Sequence, residues 1–280
     1  PGAVAVFCAT FLRPEMLHIH RHVSGLAGFA ALVISQKLEG IWPTDRMEVV
    51  PRSPFRFVGR AAERLTGRPW QISGDEAARI ATAAADAALL HIFFGNVAIH
   101  LLPLLRRAKM PVVISFHGAD VAGSIASEPY ADARKEMFSL ARLVLCRSEQ
   151  LAGQVAGLGC ERSKLRIMKT VLPDLACSLH APPDDGAWQI VQAARLVPKK
   201  GIATSLRAFA GFQHLFPASR FLIAGEGPLE AGLRQLAATL GLAGSVDFCG
   251  FLPQDILREK YAKAHIFLHP SEEVHGDVEG

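Results

Sequence analysis

Residues 189–213, QIVQAARLVPKKGIATSLRAFAGFQ, place an aliphatic run, a basic turn and a helical pattern in direct succession. The run 189–194 predicts a strand, and the apolar spacing over 202–213 predicts a helix. Further strands and helices are predicted in strict alternation at 220–224, 229–240, 246–249, 254–264 and 266–269. Such alternation is typical of βαβ units and a mostly parallel sheet. This half of the chain is therefore expected to form a doubly wound α/β domain.

The first half of the chain shows the same alternation. Candidate strands are predicted at 4–9, 31–35, 89–94, 112–116, 143–146 and 165–168. The segment APPDDGA, residues 181–187, fits neither helix nor strand because Pro, Asp and Gly favour turns. We place a domain boundary there, which gives domains 1–183 and 184–280. The expected fold class is α/β, with two domains whose sheets are mostly parallel.

Composition excludes several classes of protein. The 280 residues are 50% hydrophobic and 20% charged, which excludes disorder as the main state and suits two domains. The five cysteines include no CxxC pair, so no disulfide framework or zinc ribbon is indicated and a reducing cytoplasm fits best. No basic segment precedes the first apolar stretch, so no signal peptide is predicted. The most apolar region, residues 80–105, contains polar side chains and falls short of a membrane-spanning helix.

Basic residues recur every fourth position in one stretch of the first half. This basic stripe consists of Arg52, Arg56, Arg60, Arg64 and Arg68. Aromatic and aliphatic residues lie between the arginines, and such a face suits an anionic membrane surface. The alternative is a solvated helix face, and the prolines and glycines around the stripe argue against one long helix. We predict a membrane partner and no nucleic-acid partner.

Function is expected at the carboxyl ends of the strands, where doubly wound sheets bind ligands. The turn 195–201 combines Arg195 and Lys200 with a helix amino terminus, which suits a phosphate or diphosphate, although a solvated turn is the alternative. The loop GEGP, residues 225–228, allows close backbone approach to a ligand. Glu230 stands where G-x-G-x-x-G requires its third glycine, which disfavours a dinucleotide-dependent oxidoreductase.

Two other groups of residues bear on the chemistry. Four carboxylates follow the last predicted strand, namely Glu272, Glu273, Asp277 and Glu279. They either form hydrogen bonds with sugar hydroxyl groups or are solvated charges of a loop. In the first domain, FHGAD places His117 where it can touch a substrate, although most single histidines are structural. His18, His20 and His22 alternate in a predicted helix, where residues i and i+2 do not share a face, and this disfavours a metal site.

Several motifs, taken together, resemble those of the retaining glycosyltransferases of family 4, and more narrowly the exopolysaccharide and colanic-acid type. In the second domain the motifs are ARLVPKKG, FLIAGEGPLEAGL, VDFCGFLP, YAKAHIFLHPS and GDVEG. The first domain matches in HIFFGNVAIHLLPLLRRAKMPVVISFHGADV and more loosely in ATFLRPEMLHIHRHV. The resemblance implies the GT-B fold, which consists of two Rossmann-like domains.

The resemblance also implies roles for individual residues. Arg195 and Lys200 match the pair that holds the donor diphosphate, and His117 matches the histidine that reaches the donor sugar. Further donor-binding residues are Gly225, Glu226, Gly227, Gly250 and Phe251. Glu279 matches the first carboxylate of an E-x7-E motif that touches the donor sugar. Glu15 and Asp120 are assigned to the acceptor side.

The implied reaction is sugar transfer from a UDP- or GDP-sugar to a glycan or lipid-linked acceptor with retained configuration. The implied mechanism uses no metal ion and no cofactor, since side chains neutralise the leaving diphosphate. The implied location is cytoplasmic, at the inner face of the membrane. Because the sequence stops one residue after Glu279, the second domain is expected to be incomplete and the chain a fragment. A nucleotide- or sugar-phosphate-binding module without turnover is the alternative.

Overall fold

The structure is a computed structural model that describes residues 2–11, 17–39, 46–118, 120–121, 123–170 and 180–274. The chain divides into two compact units, one comprising Pro1–Pro173 with Gly280 and the other Asp174–Glu279. Because residues 171–179 lie outside the described part, the predicted domain boundary between residues 183 and 184 stays a prediction.

The first unit contains a seven-stranded sheet in which every pairing is parallel. Its strands are β1 (Ala3–Cys8), β2 (Ala30–Ser35), β3 (Met47–Val49), β4 (Ala87–Phe93), β5 (Val112–Phe116), β6 (Leu143–Cys146) and β7 (Leu165–Ile167). The strands lie in the order β3-β2-β1-β4-β5-β6-β7. The order reverses between β1 and β4, and ligands of doubly wound sheets bind at such a reversal.

Helices of the first unit follow most of its strands. They are α1 (Leu17–Ser24), α2 (Arg56–Thr66), α3 (Gly74–Ala83), α4 (Gly95–His100), α5 (Leu102–Leu105), α6 (Ala131–Leu140) and α7 (Glu149–Gly157). In β1, Val4 and Val6 pack into one apolar cluster, whereas Ala5 and Phe7 pack into the other. This sheet is buried on both faces, which explains why its strands are nearly continuous apolar runs.

The second unit has a four-stranded parallel sheet in the order β10-β9-β8-β11. Its elements are β8 (Gln189–Ala193), α8 (Ile202–Leu215), β9 (Arg220–Ala224), α9 (Glu230–Thr239), β10 (Val246–Phe248), α10 (Gln254–Lys263) and β11 (Ile266–Phe267). Its apolar core joins Ile190 and Phe221 of the sheet to Leu206 and Phe209 of α8. The predicted alternation of strands and helices is confirmed, with small differences at the element ends.

One strand of the first unit differs from the sequence-based expectation, whereas the expectation that no single long helix carries the whole basic stripe is confirmed. Strand β3 is missed because it is a three-residue edge strand with two of its residues exposed. Helix α2 contains Gly59, so glycine does not interrupt it there, and it ends at Gly67, which adopts φ 70°. The helix therefore carries three of the five arginines of the basic stripe, and Arg52 and Arg68 lie outside it. Within the described residues, no helix is both long and apolar enough to span a membrane.

Candidate functional site

The basic turn of the second unit joins β8 to α8. Its residues Pro198–Lys200 form a 3-10 turn, and Gly201 follows in the left-handed region with φ 61°. The side-chain amide of Gln192 donates to the carbonyl oxygen of Lys200 over 2.9 Å. A Cβ atom at Gly201 would lie 1.8 Å from the carbonyl oxygen of Pro270, so only glycine allows this close packing. The turn therefore holds Lys200 at the amino terminus of α8.

Backbone hydrogen bonds join the loops that follow β8, β9 and β10, which we call the three donor loops (195–201, 225–229 and 249–252). The amide of Leu196 donates to the carbonyl oxygen of Glu226 over 2.9 Å, and the amide of Gly225 donates to Gly250 over 2.7 Å. The amide of Phe251 donates to the Glu226 carboxylate over 3.3 Å. The structure thus brings together the residues that the sequence assigns to donor binding.

Two glycines of the second loop are required by protein packing. A Cβ atom at Gly225 would lie 1.9 Å from the carbonyl oxygen of Ala194, and one at Gly227 would lie 2.5 Å from that of Leu196. Gly225 also has a φ of 133°, which side chains rarely adopt. These glycines let the loop pack on the one that follows β8, a reason the sequence does not reveal.

Polar and aromatic groups at this edge of the sheet remain accessible. Arg195 and Glu226 are exposed, Lys200 is half-buried, and Phe251 has 52% of its surface exposed. Helix α8 has 14 residues, and its amino-terminal N–H groups and dipole favour an anion. Cations in the turn before a helix, together with an exposed aromatic ring on a hydrogen-bonded loop, suit a ligand with both a diphosphate and a flat base.

The segment after β11 is attached to the same turn. The amide of Glu272 donates to the carbonyl oxygen of Lys199 over 2.9 Å, and the Thr204 hydroxyl donates to the Glu272 carboxylate. Glu272 and Glu273 are both exposed, and Glu272 in addition has a structural role at α8 through these bonds. Asp277 and Glu279 lie outside the described residues, and their predicted contacts with a sugar stay predictions.

In the first unit, the loop after β5 is held by one buried carboxylate. Asp120, which is 3% exposed, accepts hydrogen bonds from the amides of His117 (2.8 Å) and Gly118 (3.0 Å) through Oδ1. Its Oδ2 accepts one from the amide of Gly95 over 2.9 Å. Burial raises the pKa of Asp120, partly offset by these N–H groups. Asp120 thus fixes the main chain at His117, and its assignment to the acceptor side stays a prediction.

The ring of His117 is enclosed by other rings. It lies 5.1 Å from His18, 5.5 Å from Phe93 and 4.8 Å from Phe94, measured between centroids. Burial, with smaller contributions from the positive charges of His18 and Arg147, lowers the pKa of His117 to about 2. An imidazole with this pKa is neutral at pH 7 and acts as a hydrogen-bonding group rather than as a cation.

Phe94 has a φ of 74°, the single positive φ of a non-glycine residue in the described ranges. Its amide donates to the carbonyl oxygen of Ser115 over 2.9 Å, which fixes it beside the end of β5. Such a conformation costs on the order of 1–3 kcal/mol and is typical of functional sites. The next residue, Gly95, leaves room for the Phe116 ring, which would lie 2.1 Å from a Cβ atom there.

Sequence reasoning missed the residues that surround His117. His18 and His22 are four residues apart on α1, and their rings lie 5.1 Å from His117 and 5.3 Å from His91. Ser115 of β5 precedes His117, which follows the strand, by two positions, and the Ser115 hydroxyl oxygen lies 3.0 Å from Nε2 of His117. The i,i+4 spacing of His18 and His22 and the i,i+2 spacing of Ser115 and His117 are the sequence signals that could have indicated these contacts. Within the described ranges, no group of His, Cys, Asp or Glu side chains is arranged to hold a metal ion.

The basic stripe is split by the structure. Arg52 donates to the side-chain oxygen of Gln36 over 3.2 Å and to the carbonyl oxygen of Ala9 over 3.3 Å. Arg56 also donates to Gln36, over 3.3 Å, and its guanidinium carbon lies 4.4 Å from the centroid of the Trp70 ring. The Gln36 amide in turn donates to the buried carboxylate of Glu76. Arg52 and Arg56 therefore stabilise the first unit, and their predicted contact with a membrane lacks structural support.

The other arginines of the stripe remain on the surface. Arg60, Arg64 and Arg68 are exposed, and α2 has no buried residue among those described. Large apolar side chains around them are also exposed, namely Phe55 (73%), Phe57 (69%), Val58 (54%) and Leu65 (88%). We call these seven residues the α2 surface. Glu15, the other residue assigned to the acceptor side, lies outside the described residues.

Comparison with known proteins relates the chain to enzymes of polysaccharide synthesis. Residues 180–280 match the family described as glycosyl transferases group 1. The chain is 28% identical over 204 residues to the amylovoran biosynthesis glycosyltransferase AmsK of Erwinia amylovora. The aligned region covers 70% of this chain and 49% of AmsK. It is 28% identical over 199 residues to the putative colanic acid biosynthesis glycosyltransferase WcaL of Escherichia coli strain K12, with the same coverage. The predicted resemblance is confirmed, and the chain spans about half the length of these curated relatives.

A solved structure supports the fold. The Anabaena protein Alr3699/HepE, in complex with UDP and glucose, has a TM-score of 0.66 and 17% sequence identity. The match covers 97% of this chain and 74% of the Anabaena chain. At this identity the likeness concerns the fold alone, and the predicted GT-B fold is confirmed.

Proposed function

We propose that this chain, whose residues 180–280 match the family described as glycosyl transferases group 1, transfers a sugar from a nucleoside diphosphate to a glycan or lipid-linked acceptor. One observation carries the proposal. Three loops at the carboxyl edge of the second sheet are hydrogen-bonded to each other and carry Arg195, Lys200 and an exposed Phe251, with Lys200 just before the first residue of α8. The relatives AmsK and WcaL are described as glycosyltransferases, and HepE is described in complex with UDP and glucose.

In the proposed mechanism, Arg195 and Lys200 bind the diphosphate together with the N–H groups at the start of α8. The same groups neutralise the negative charge that develops on the diphosphate as it leaves, so no metal ion is needed for that step. Phe251 offers an exposed ring for the nucleotide base, and Glu226 holds the Phe251 main chain. We further propose that the transferred sugar retains its anomeric configuration.

His117 is the proposed contact with the sugar. The neutral ring of His117 accepts or donates a hydrogen bond without adding charge. Asp120 positions the His117 main chain, and Arg147 donates to the His117 carbonyl oxygen over 3.3 Å. His117 thus acts on an uncharged, hydroxyl-rich group such as a hexose.

We also propose that the protein works at the inner face of the cytoplasmic membrane. The α2 surface combines three exposed arginines with four exposed apolar side chains, and each basic residue near an anionic surface adds on the order of 1 kcal/mol to adsorption. The apolar groups insert into the headgroup region. This location brings the enzyme to a lipid-linked acceptor.

Calorimetric titration with UDP-glucose and GDP-mannose tests the donor site. We expect an Arg195→Ala, Lys200→Ala double variant to bind either nucleotide sugar at least tenfold more weakly than the wild type, because each charge-assisted hydrogen bond contributes about 1.5–3 kcal/mol. An Arg207→Ala variant is the matched control, since Arg207 is an exposed cation on the same helix. Equal affinity of the double variant and the wild type would reject this site.

A further inference from the structure

A buried chain of hydrogen bonds leads to His117 from the neighbouring strand. The Nε2 atom of His91 lies 3.0 Å from the Ser115 hydroxyl oxygen, which lies 3.0 Å from Nε2 of His117. His91 is 4% exposed and Ser115 is fully buried. Phe93 pairs with Ser115 across β4 and β5, so His91 is the diagonal neighbour of Ser115 on the same face.

The number of protons in this chain of hydrogen bonds limits the tautomers of the His91 and His117 rings. The Ser115 hydroxyl carries one proton, so it donates to one imidazole and accepts from the other. Both rings are neutral, because burial lowers the pKa of His91 to about 3 and that of His117 to about 2. Exactly one of the two Nε2 atoms therefore carries a proton.

The Nδ1 atom of His117 distinguishes between a protonated Nε2 on His117 and a protonated Nε2 on His91. Its Nδ1 atom is buried and has no hydrogen-bond partner among the described residues. An unpaired N–H group in a protein interior is rarer than an unpaired acceptor. The favoured arrangement therefore leaves Nδ1 of His117 without a proton, so that Nε2–H of His117 donates to Ser115 and the Ser115 hydroxyl donates to Nε2 of His91. Neutral His91 then carries its proton on Nδ1, an atom that, unlike Nδ1 of His117, is not both buried and unpartnered.

We propose that Ser115 and His91 are positioning residues that hold His117 in its Nε2–H tautomer and keep its lone pair on Nδ1. The contact of His117 with a sugar rests on the proposed function, whereas the tautomer rests on the hydrogen-bonded chain and on the buried Nδ1 atom. The ring of His18 packs against His117, and its buried Nε2 atom also lacks a partner among the described residues.

Imidazole nitrogen NMR tests the tautomer directly. In protein labelled with 15N at histidine, a His117→Gln spectrum assigns the His117 signals by their disappearance. We expect wild-type His117 to show a protonated Nε2 and a bare Nδ1 at pH 7. Ser115→Ala removes the acceptor, and the His117 nitrogens should then shift toward the average of the two tautomers.

Two other variants complete the NMR experiment. Ser115→Thr keeps the hydroxyl and a β-branched side chain suited to a strand, so it should preserve the wild-type His117 signals. Ser35→Ala removes a fully buried serine hydroxyl from β2 that bonds only to Lys37, and it controls for a lost buried hydroxyl elsewhere in this sheet. Unchanged His117 signals in Ser115→Ala, or a protonated Nδ1 in the wild type, would overturn the proposal. If Ser115→Ala does not fold, His91→Gln takes its place with the same expectation.

Turnover separates this inference from the proposed function. With a donor that the wild type uses, Ser115→Ala should lower kcat about 10- to 100-fold with little change in KM, and Ser115→Thr should restore most of it. A wild type that turns over neither UDP-glucose nor GDP-mannose would count against the proposed function, and the NMR result would still decide the tautomer. A shifted tautomer together with an unchanged kcat would remove the positioning role.

Discussion

At the scale of single residues, the packing of the donor loops depends on contacts with backbone atoms, and the amino-acid sequence does not reveal such contacts. Gly225 occupies a place where a Cβ atom would overlap the carbonyl group of Ala194, and its φ of 133° excludes most side chains. The sequence identified Gly225 through its motif, but the reason for the glycine is a contact between two loops. The motif therefore identifies Gly225, and the structure supplies the physical reason for a glycine at this position.

We expect Gly225→Ala to destabilise the protein by about 2–4 kcal/mol, because the methyl group forces the loops apart and strains the backbone. Gly211→Ala on α8 is the matched control, since no atom lies within 4 Å of its added Cβ. Alanine at that exposed helical position should stabilise by up to about 1 kcal/mol. Urea unfolding followed by circular dichroism measures both, and a neutral Gly225→Ala would contradict the packing argument.

The buried histidines of the first unit should make its stability fall in acid. Their folded pKa values lie below the ordinary value of 6.5, at about 4 for His18, about 3 for His91 and about 2 for His117, chiefly because of burial. Below pH 6.5 the unfolded chain binds protons that the folded chain excludes, so each histidine can weaken folding up to about tenfold per pH unit until its folded pKa is reached. The raised pKa of Asp120 acts in the opposite direction near pH 4.

Thermal unfolding between pH 7.5 and pH 4.5 tests this dependence. We expect Tm to be nearly constant above pH 6.5 and to fall steadily below it. His91→Gln should flatten the fall, whereas His214→Gln, at an exposed position of α8, should leave it unchanged. A wild-type Tm that stays level down to pH 5 would show that the histidines are not buried as neutral groups.

At the scale of elements, α2 shows why a charge pattern alone does not define a surface. Five arginines at four-residue spacing suggest one face, yet the helix covers only Arg56–Thr66, and Arg56 packs on Trp70. Arg52 is held by Gln36, whose amide is oriented by the buried Glu76. The sequence contains no signal for these contacts, because they join residues that are 16 to 40 positions apart.

Sedimentation with liposomes tests the α2 surface. We expect an Arg60→Ser, Arg64→Ser, Arg68→Ser variant to bind vesicles with 30% anionic lipid at least tenfold more weakly than the wild type, because about 3 kcal/mol of electrostatic attraction is lost. The variant keeps Arg52 and Arg56, so its fold stays intact. An Arg162→Ser, Arg166→Ser variant, which removes exposed charge elsewhere in this unit, is the control. Equal binding of the triple variant and the wild type would exclude this surface as the membrane contact.

At the scale of the whole molecule, the alternation of strands and helices was predictable, because periodic apolar residues determine it. Of the eleven strands within the described residues, the sequence predicted ten, and it missed β3, which is short and partly exposed. It also selected the loops in which Arg195, Gly225 and Gly250 meet. It did not reveal the histidine cluster, because His18, His91 and His117 are brought together by the sheet order and not by proximity in the chain.

Hydrogen exchange tests whether a nucleotide binds at the donor loops. We expect saturating UDP to slow amide exchange in 195–201, 225–229 and 249–252, since the nucleotide covers these loops. Helix α7 (Glu149–Gly157) in the first unit should exchange at the same rate with and without UDP. Protection that is absent from the donor loops, at a concentration where calorimetry shows binding, would place the nucleotide elsewhere.

The hydrogen bonds between the donor loops also determine how many loop residues would have to become ordered when a nucleotide binds. A flexible loop loses on the order of 1–2 kcal/mol of conformational entropy for each residue that binding fixes. Residues 225, 226, 250 and 251 are already fixed by bonds to each other and to Leu196. Little of the binding energy is then spent on ordering, so affinity follows mainly from contacts with the ligand. Association should be fast, steered by Arg195 and Lys200, and slower as salt screens their field.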